Sequence, residues 1–155
     1  MVLTKLKKVI VLSGRPNSGK TAILNDLCDK VLASKLMTAH NPAEQELGRN
    51  KTGDQRFTAQ YRGNKLAICT AGDTADHIFK SFLYAEKWNA EVLVLALSIP
   101  PRTSSYKTAV EAFNAIVRLH RLTHRVDQSV GTKYAAPKPK GYVDAARVLE
   151  LFRKI

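Results

Sequence analysis

Hydrophobic positions along the chain fall into short aliphatic runs alternating with stretches of helical period. Val9-Ile10-Val11-Leu12 is an unbroken β-branched and aliphatic run, which predicts a strand. Ile23, Leu24, Leu27, Cys28, Val31 and Leu32 then recur at three- and four-residue spacing, which predicts an amphipathic helix. Thr38 to Asp54 is polar, rich in Asn and Gly, and has no sustained period, so it reads as a surface loop. Arg56 to Tyr61 and Lys65 to Thr70 are strand-like runs on either side of Arg62-Gly63-Asn64, the composition of a β-hairpin. Ala75, Ile78, Phe79, Phe82 and Leu83 predict the apolar face of a second helix that ends near Trp88.

Glu91 to Ser98 is the clearest buried strand, and Pro100-Pro101 terminates it because proline cannot donate to a ladder. A third helix follows with Ala109, Val110, Phe113, Ile116 and Val117 on one side. His124 to Val130 has weak strand character, Gly131 to Gly141 is basic and rich in proline, and Tyr142 to Lys154 predicts a closing helix with Ala146, Leu149 and Phe152 inward. Strands alternating with helices give an α/β class. The expected architecture is one domain over residues 1–155, three-layered, with a largely parallel sheet of about five strands that includes the hairpin.

The chemistry sits at the turn between the first strand and the first helix. Gly14-Arg15-Pro16-Asn17-Ser18-Gly19-Lys20-Thr21 fits GxxxxGK[ST]. Its glycines let successive backbone N–H groups converge on a phosphate, and the helix beginning near Gly19 adds N–H groups without intrahelical partners. Lys20 supplies an ammonium to β- and γ-phosphate oxygens, and Thr21 offers a hydroxyl to magnesium. Strand, glycine loop and amphipathic helix follow in the order that a phosphate cradle requires. In these residues the chain resembles the P-loop NTPase superfamily, which implies a P-loop domain that binds a nucleoside triphosphate with Mg2+.

A second segment, Leu66 to Asp73, resembles the strand and switch of Ras-like GTPases, with Cys69 where that pattern has Asp. A thiol is a poor substitute for a carboxylate near a hard cation. Asp73, four residues on, is the replacement candidate for holding a magnesium-bound water or positioning a nucleophile. Its other reading is a helix N-cap, since Asp76 follows three residues later at the start of an apolar-periodic helix. Asp54 and Thr52 are further polar candidates in the preceding loop. Arg102 lies just beyond the buried strand, where its planar fork suits a γ-phosphate or an anionic acceptor; an exposed loop arginine is the alternative. His77, His120 and His124 show no metal-ligand spacing and read as surface or packing residues.

Composition fits this picture and adds one feature. With 155 residues and 45% hydrophobic content the chain can bury a real core. No apolar stretch approaches the roughly 20 residues that cross a bilayer, and the N-terminus lacks the apolar region of a signal peptide, so the expected location is cytoplasmic. Cys28 and Cys69 fall at apolar positions and are expected to behave as small core residues. The net charge is +12, and residues from Pro101 onward contribute eleven basic against four acidic side chains. Such a surplus attracts nucleic acid or an acidic protein, or serves solubility alone.

Guanine-reading proteins of the Ras type carry [NT]KxD after a strand. That sequence is missing after Ser98, and Thr132-Lys133-Tyr134-Ala135 ends in Ala. ATP is therefore favoured over GTP. Two uses of the cradle are open: phosphoryl transfer from ATP, as a small kinase or an ATPase, with Lys20, Asp73 and Arg102 as the acting residues, or a nucleotide-dependent binding module that docks an anionic partner through its basic C-terminal third.

Overall fold

In the computed structural model the described residues are 2–14, 20–21, 23–25, 27, 37–44, 56–61, 63–98 and 104–128. The aliphatic run ahead of the glycine loop forms β1 (Lys8–Gly14), buried from Val9 to its end. Residues 20, 21, 23–25 and 27 are helical. They are followed by β2 (Met37–Glu44), β3 (Arg56–Tyr61), β4 (Asn64–Cys69), α1 (Ala75–Lys87), β5 (Val92–Ser98), α2 (Ser104–Leu119) and β6 (Thr123–Gln128).

The strands form one six-stranded sheet in the order β2-β3-β4-β5-β1-β6. Strands β4, β5, β1 and β6 run parallel, while β2 and β3 are antiparallel to their neighbours. The sheet is thus mixed, with six strands where a largely parallel one of about five was expected. Most of the extra strand comes from Thr38 to Asp54, where β2 occupies the beginning of the expected loop. Its pairing with β3 shifts register between Ala39 and Asn41 and again between Asn41 and Glu44. Two bulges in one edge strand erase the alternation by which a strand is recognised, and the second accommodates Pro42. The hairpin forms as expected: Tyr61 pairs with Asn64, and Gly63 turns the chain at φ +80°.

Hydrophobic residues cover both faces of the sheet. On one face Ile23, Leu24 and Leu27 pack on Ile10, Leu12, Ile68, Val94 and Ala96. On the other, Val9, Val11, Cys69, Leu93 and Leu95 meet Ile78, Phe82 and Ala85 of α1 and Ala109, Phe113 and Ile116 of α2. Each of the fully buried Val, Leu, Ile and Phe side chains contributes about 1.5–3 kcal/mol of transfer free energy. The rings of Phe82 and Phe113 stand 6.3 Å apart and join the two helices. Helical residues on both sides of a sheet give the expected layering. Among the described residues no helix is long and apolar enough to cross a membrane.

The second helix forms where expected but is rotated. Its buried stripe is Ile78, Ser81, Phe82 and Ala85, with Tyr84 beside it, while Phe79 and Leu83 are 45% and 41% exposed. Ser81 takes an inward position that apolar counting passes over, because its hydroxyl donates to the His77 carbonyl at 2.8 Å and needs no other partner. The N-cap is Thr74, in extended conformation, whose hydroxyl accepts the His77 N–H at 3.1 Å. Asp73 is therefore not the cap.

Candidate functional site

The parallel strands end together on one edge, and the register fixes what meets there. Gly14, the last residue of β1 and the first of the GxxxxGK[ST] sequence, lies opposite Ser98 at the end of β5. Strand β5 stands between β1 and β4, so the segment after Cys69 must cross β5 to approach the loop. It does so through Gly72. The Ser98 N–H donates to the Gly72 carbonyl at 3.0 Å, and a Cβ on Gly72 would fall 1.9 Å from the Ala96 carbonyl oxygen. Only a residue without a side chain permits this crossing.

The crossing delivers Asp73. Its carboxylate accepts a hydrogen bond from the Ser98 hydroxyl, and the residue is otherwise exposed to solvent. Ser98 itself is fully buried, so one residue holds both the backbone and the carboxylate of the Gly72-Asp73 turn. Lys20 is helical and buried to 5% exposure. Burial lowers its pKa from the usual 10.5, and the nearby negative charge of Asp73 pulls it back upward. Thr21 follows on the same turn and is half-buried.

Gly14, Lys20, Thr21 and Asp73 thus fall on the elements expected to carry them, and the electrostatics couple Lys20 to Asp73 across the strand ends. Arg15, Pro16, Asn17, Ser18, Gly19, Thr52, Asp54 and Arg102 lie outside the described residues. Cys28 and most of the basic C-terminal third do as well. Cys69 is completely buried in the cluster beneath α1 and α2, on the sheet face opposite Ile23 and Leu24. It serves as a small core residue, as its sequence position suggests. Of the histidines, His77 sits half-buried in the first turn of α1 and His120 directly after α2; His124 belongs to β6.

Two contributors were not anticipated from sequence. Ser98 carried a readable signal, as the single polar residue closing an apolar strand just before Pro100-Pro101. Arg56 carried none. It opens β3 opposite Cys69 at the same edge and is 1% exposed, on the sheet face towards α1, where its charge helps to lower the pKa of Asp76. The larger influence on Asp76 is its hydrogen bond with Lys80.

Thr21 and Asp73 are hard oxygen donors of the kind magnesium takes. Among the described residues no three His, Cys, Asp or Glu side chains gather as a metal cage. A magnesium ion bound with a triphosphate needs none, since phosphate oxygens and water fill most of its octahedron. The exposed Asp73 carboxylate, aimed by Ser98, fits that demand. Comparison of the chain with protein-family models, with curated proteins and with solved structures finds no match.

Proposed function

We propose that the chain binds ATP with Mg2+ at this strand edge, phosphates in the Gly14–Thr21 loop, and transfers the γ-phosphoryl group. The carrying observation is Lys20: a helical residue held at 5% exposure near the Asp73 carboxylate, six positions after the end of β1. Burial makes its charge costly, and polyphosphate oxygens compensate that cost at close range. The positive N-terminal end of a helix beginning near Gly19 would add to the attraction for the same anion.

Asp73 is the residue that acts on the acceptor. Tied by one oxygen to Ser98, it keeps acceptor capacity for a water or hydroxyl group beside the γ-phosphate and takes its proton as the bond to phosphorus forms. Lys20 draws negative charge from the departing diphosphate. Thr21 would hold magnesium directly and Asp73 through a magnesium-bound water, and the ion would supply neutralisation of the phosphate charge. ATP is preferred because no Asp completes a guanine-reading sequence after β5. The strand β6, which overlaps the weak strand signal of His124 to Val130, precedes Thr132-Lys133-Tyr134-Ala135, yet the fourth residue of that sequence remains Ala.

Phosphorus NMR of the protein with ATP, Mg2+ and a panel of nucleoside monophosphates separates the two acceptors. Inorganic phosphate as the product marks an ATPase; a new phosphorylated nucleotide marks a kinase. Asp73→Asn is expected to slow turnover by about 10²-fold or more while ATP affinity changes little. Equal turnover by the variant would remove Asp73 from the reaction.

A further inference from the structure

The parallel strands begin together at the edge opposite the candidate site. Lys8 of β1 pairs with Val92 of β5 and with Thr123 of β6, and Leu66 of β4 pairs with the same Val92. That register gathers Lys65, at the start of β4, with Lys7 and Arg121, just ahead of β1 and β6. Both helices end here as well. The Thr4 N–H and hydroxyl reach Glu86 in the last turn of α1, and α2 closes with Arg118 and Leu119 shortly before β6.

The carboxylates described at this end are engaged, while its arginines are not. Glu86 accepts both Thr4 bonds, at 2.9 and 2.6 Å, and Glu91 accepts the Lys65 N–H at 3.0 Å and lies 3.6 Å from the Lys7 ammonium. Arg118 and Arg121 are exposed, and among the described residues no ion pair holds them. Arg121 also carries a backbone cost. Its N–H donates to the Arg118 carbonyl at 3.2 Å and the Leu122 N–H to the Val117 carbonyl at 3.0 Å, a helix end that favours glycine, yet arginine occupies it at φ +52°. Beside these cations Leu119 is 76% exposed, and Val2, two residues from Thr4, is 71% exposed.

We infer that this end of the molecule, with Leu119 and Val2 set among Lys7, Lys65, Arg118 and Arg121, docks on the surface of an anionic lipid bilayer. Each cation near such a surface raises affinity by about fivefold, and the two aliphatic side chains leave water for the boundary between headgroups and acyl chains. Charge and apolarity together select the occupant. Nucleic acid would satisfy the cations and leave Leu119 and Val2 in water, and the half-buried Trp88 at this end already has the Lys87 ammonium 5.4 Å over its ring. A second copy of the chain would bring another +12 and be repelled. Side chains this exposed stand out from the surface, a shape suited to entering a soft interface rather than to lining a pocket for a protein partner. Strand β1 spans about 20 Å from this end to Gly14, so a docked chain presents its candidate site away from the bilayer, and docking needs no nucleotide.

The test is sedimentation of the full chain with vesicles in the absence of nucleotide. Vesicles of phosphatidylcholine and phosphatidylserine in equal parts should bind it about tenfold or more tightly than phosphatidylcholine alone, with affinity falling as salt rises. Arg118→Gln and Leu119→Gln should each weaken binding by about threefold or more, whereas Lys80→Gln, which removes the same charge from the middle of α1, should not. Arg121→Gly should weaken binding as well and yet melt no lower than wild type, because glycine suits a φ of +52°; its loss of binding is then not a loss of fold. Absent binding, equal binding to the two vesicle types, or unchanged binding in all three variants overturns the inference. So does weakening by the arginine variants while Leu119→Gln binds as wild type, since the aliphatic contact is what separates a bilayer from other polyanions. Binding of single-stranded DNA that depends on Arg121, without binding to vesicles, would overturn it and assign this end to nucleic acid.

Discussion

Gly72→Ala is expected to destabilise the fold by about 3 kcal/mol and to disable the strand-edge site together with it. The new methyl would stand 1.9 Å from the Ala96 oxygen, 2.4 Å from its carbonyl carbon and 2.9 Å from the Leu97 nitrogen. All three are backbone atoms of β5, which is clamped between β4 and β1 and cannot retreat. The 70–73 segment must lift instead. Lifting breaks the Ser98 N–H bond to the Gly72 carbonyl in a buried setting and draws Asp73 away from the Ser98 hydroxyl. Overpacking costs about 1–3 kcal/mol and a buried unsatisfied donor about 1–3 more. Urea unfolding would show a lower midpoint at unchanged slope. Gly63→Ala is the control: nothing lies within 4 Å of its Cβ, so only its φ of +80° matters and the loss should stay near 1 kcal/mol. Equal losses for the two variants would mean that the crossing tolerates a side chain.

Lys20→Met is expected to reduce ATP affinity by about 10²-fold or more without destabilising the ligand-free fold. The sign follows from the lowered pKa. Burial disfavours the ammonium relative to the unfolded chain, so below the folded-state pKa the charged Lys20 detracts from stability. That cost disappears as pH rises from the folded-state value to the unfolded 10.5, where both states are neutral. A methionine of similar length removes the buried charge and keeps the packing. At neutral pH the variant should therefore melt at or above the wild-type temperature, while nucleotide no longer raises that temperature. A variant that binds ATP as well as wild type would place the phosphates elsewhere. Strong destabilisation without nucleotide would mean that Lys20 is structural.

Much of the fold is legible in the sequence where one physical signal dominates. Val9 to Leu12 and Val92 to Leu97 are apolar on both faces, and each forms a central strand; the Gly63 turn closes its hairpin; Phe113 and Ile116 set the buried side of α2. Elsewhere two signals compete. In β2 the bulges around Asn41 break the alternation, so polarity prevails over strand character. In α1, Phe79 and Leu83 suggest a face that Ser81 and Ala85 fill instead, since a serine bonded within its own helix can be buried without penalty. Aspartate is the stronger generic cap, yet Thr74 caps α1 and Asp73 is engaged by Ser98. That bond depends on strand order, with β5 interposed between β1 and β4, and no local pattern encodes strand order. The GxxxxGK[ST] match of Gly14 to Thr21 reads from spacing alone, because the phosphate cradle proposed for it requires adjacent residues.

The central claim is that Gly14–Thr21, with Lys20, holds the phosphates of a nucleotide. Isothermal calorimetry of the wild-type chain with ATP and AMP, each with Mg2+, tests it most directly. The account predicts one ATP per chain and AMP weaker by about 10²-fold or more, since only the triphosphate reaches Lys20 with its β- and γ-oxygens. Equal affinity for ATP and AMP, or no heat with either, would contradict it.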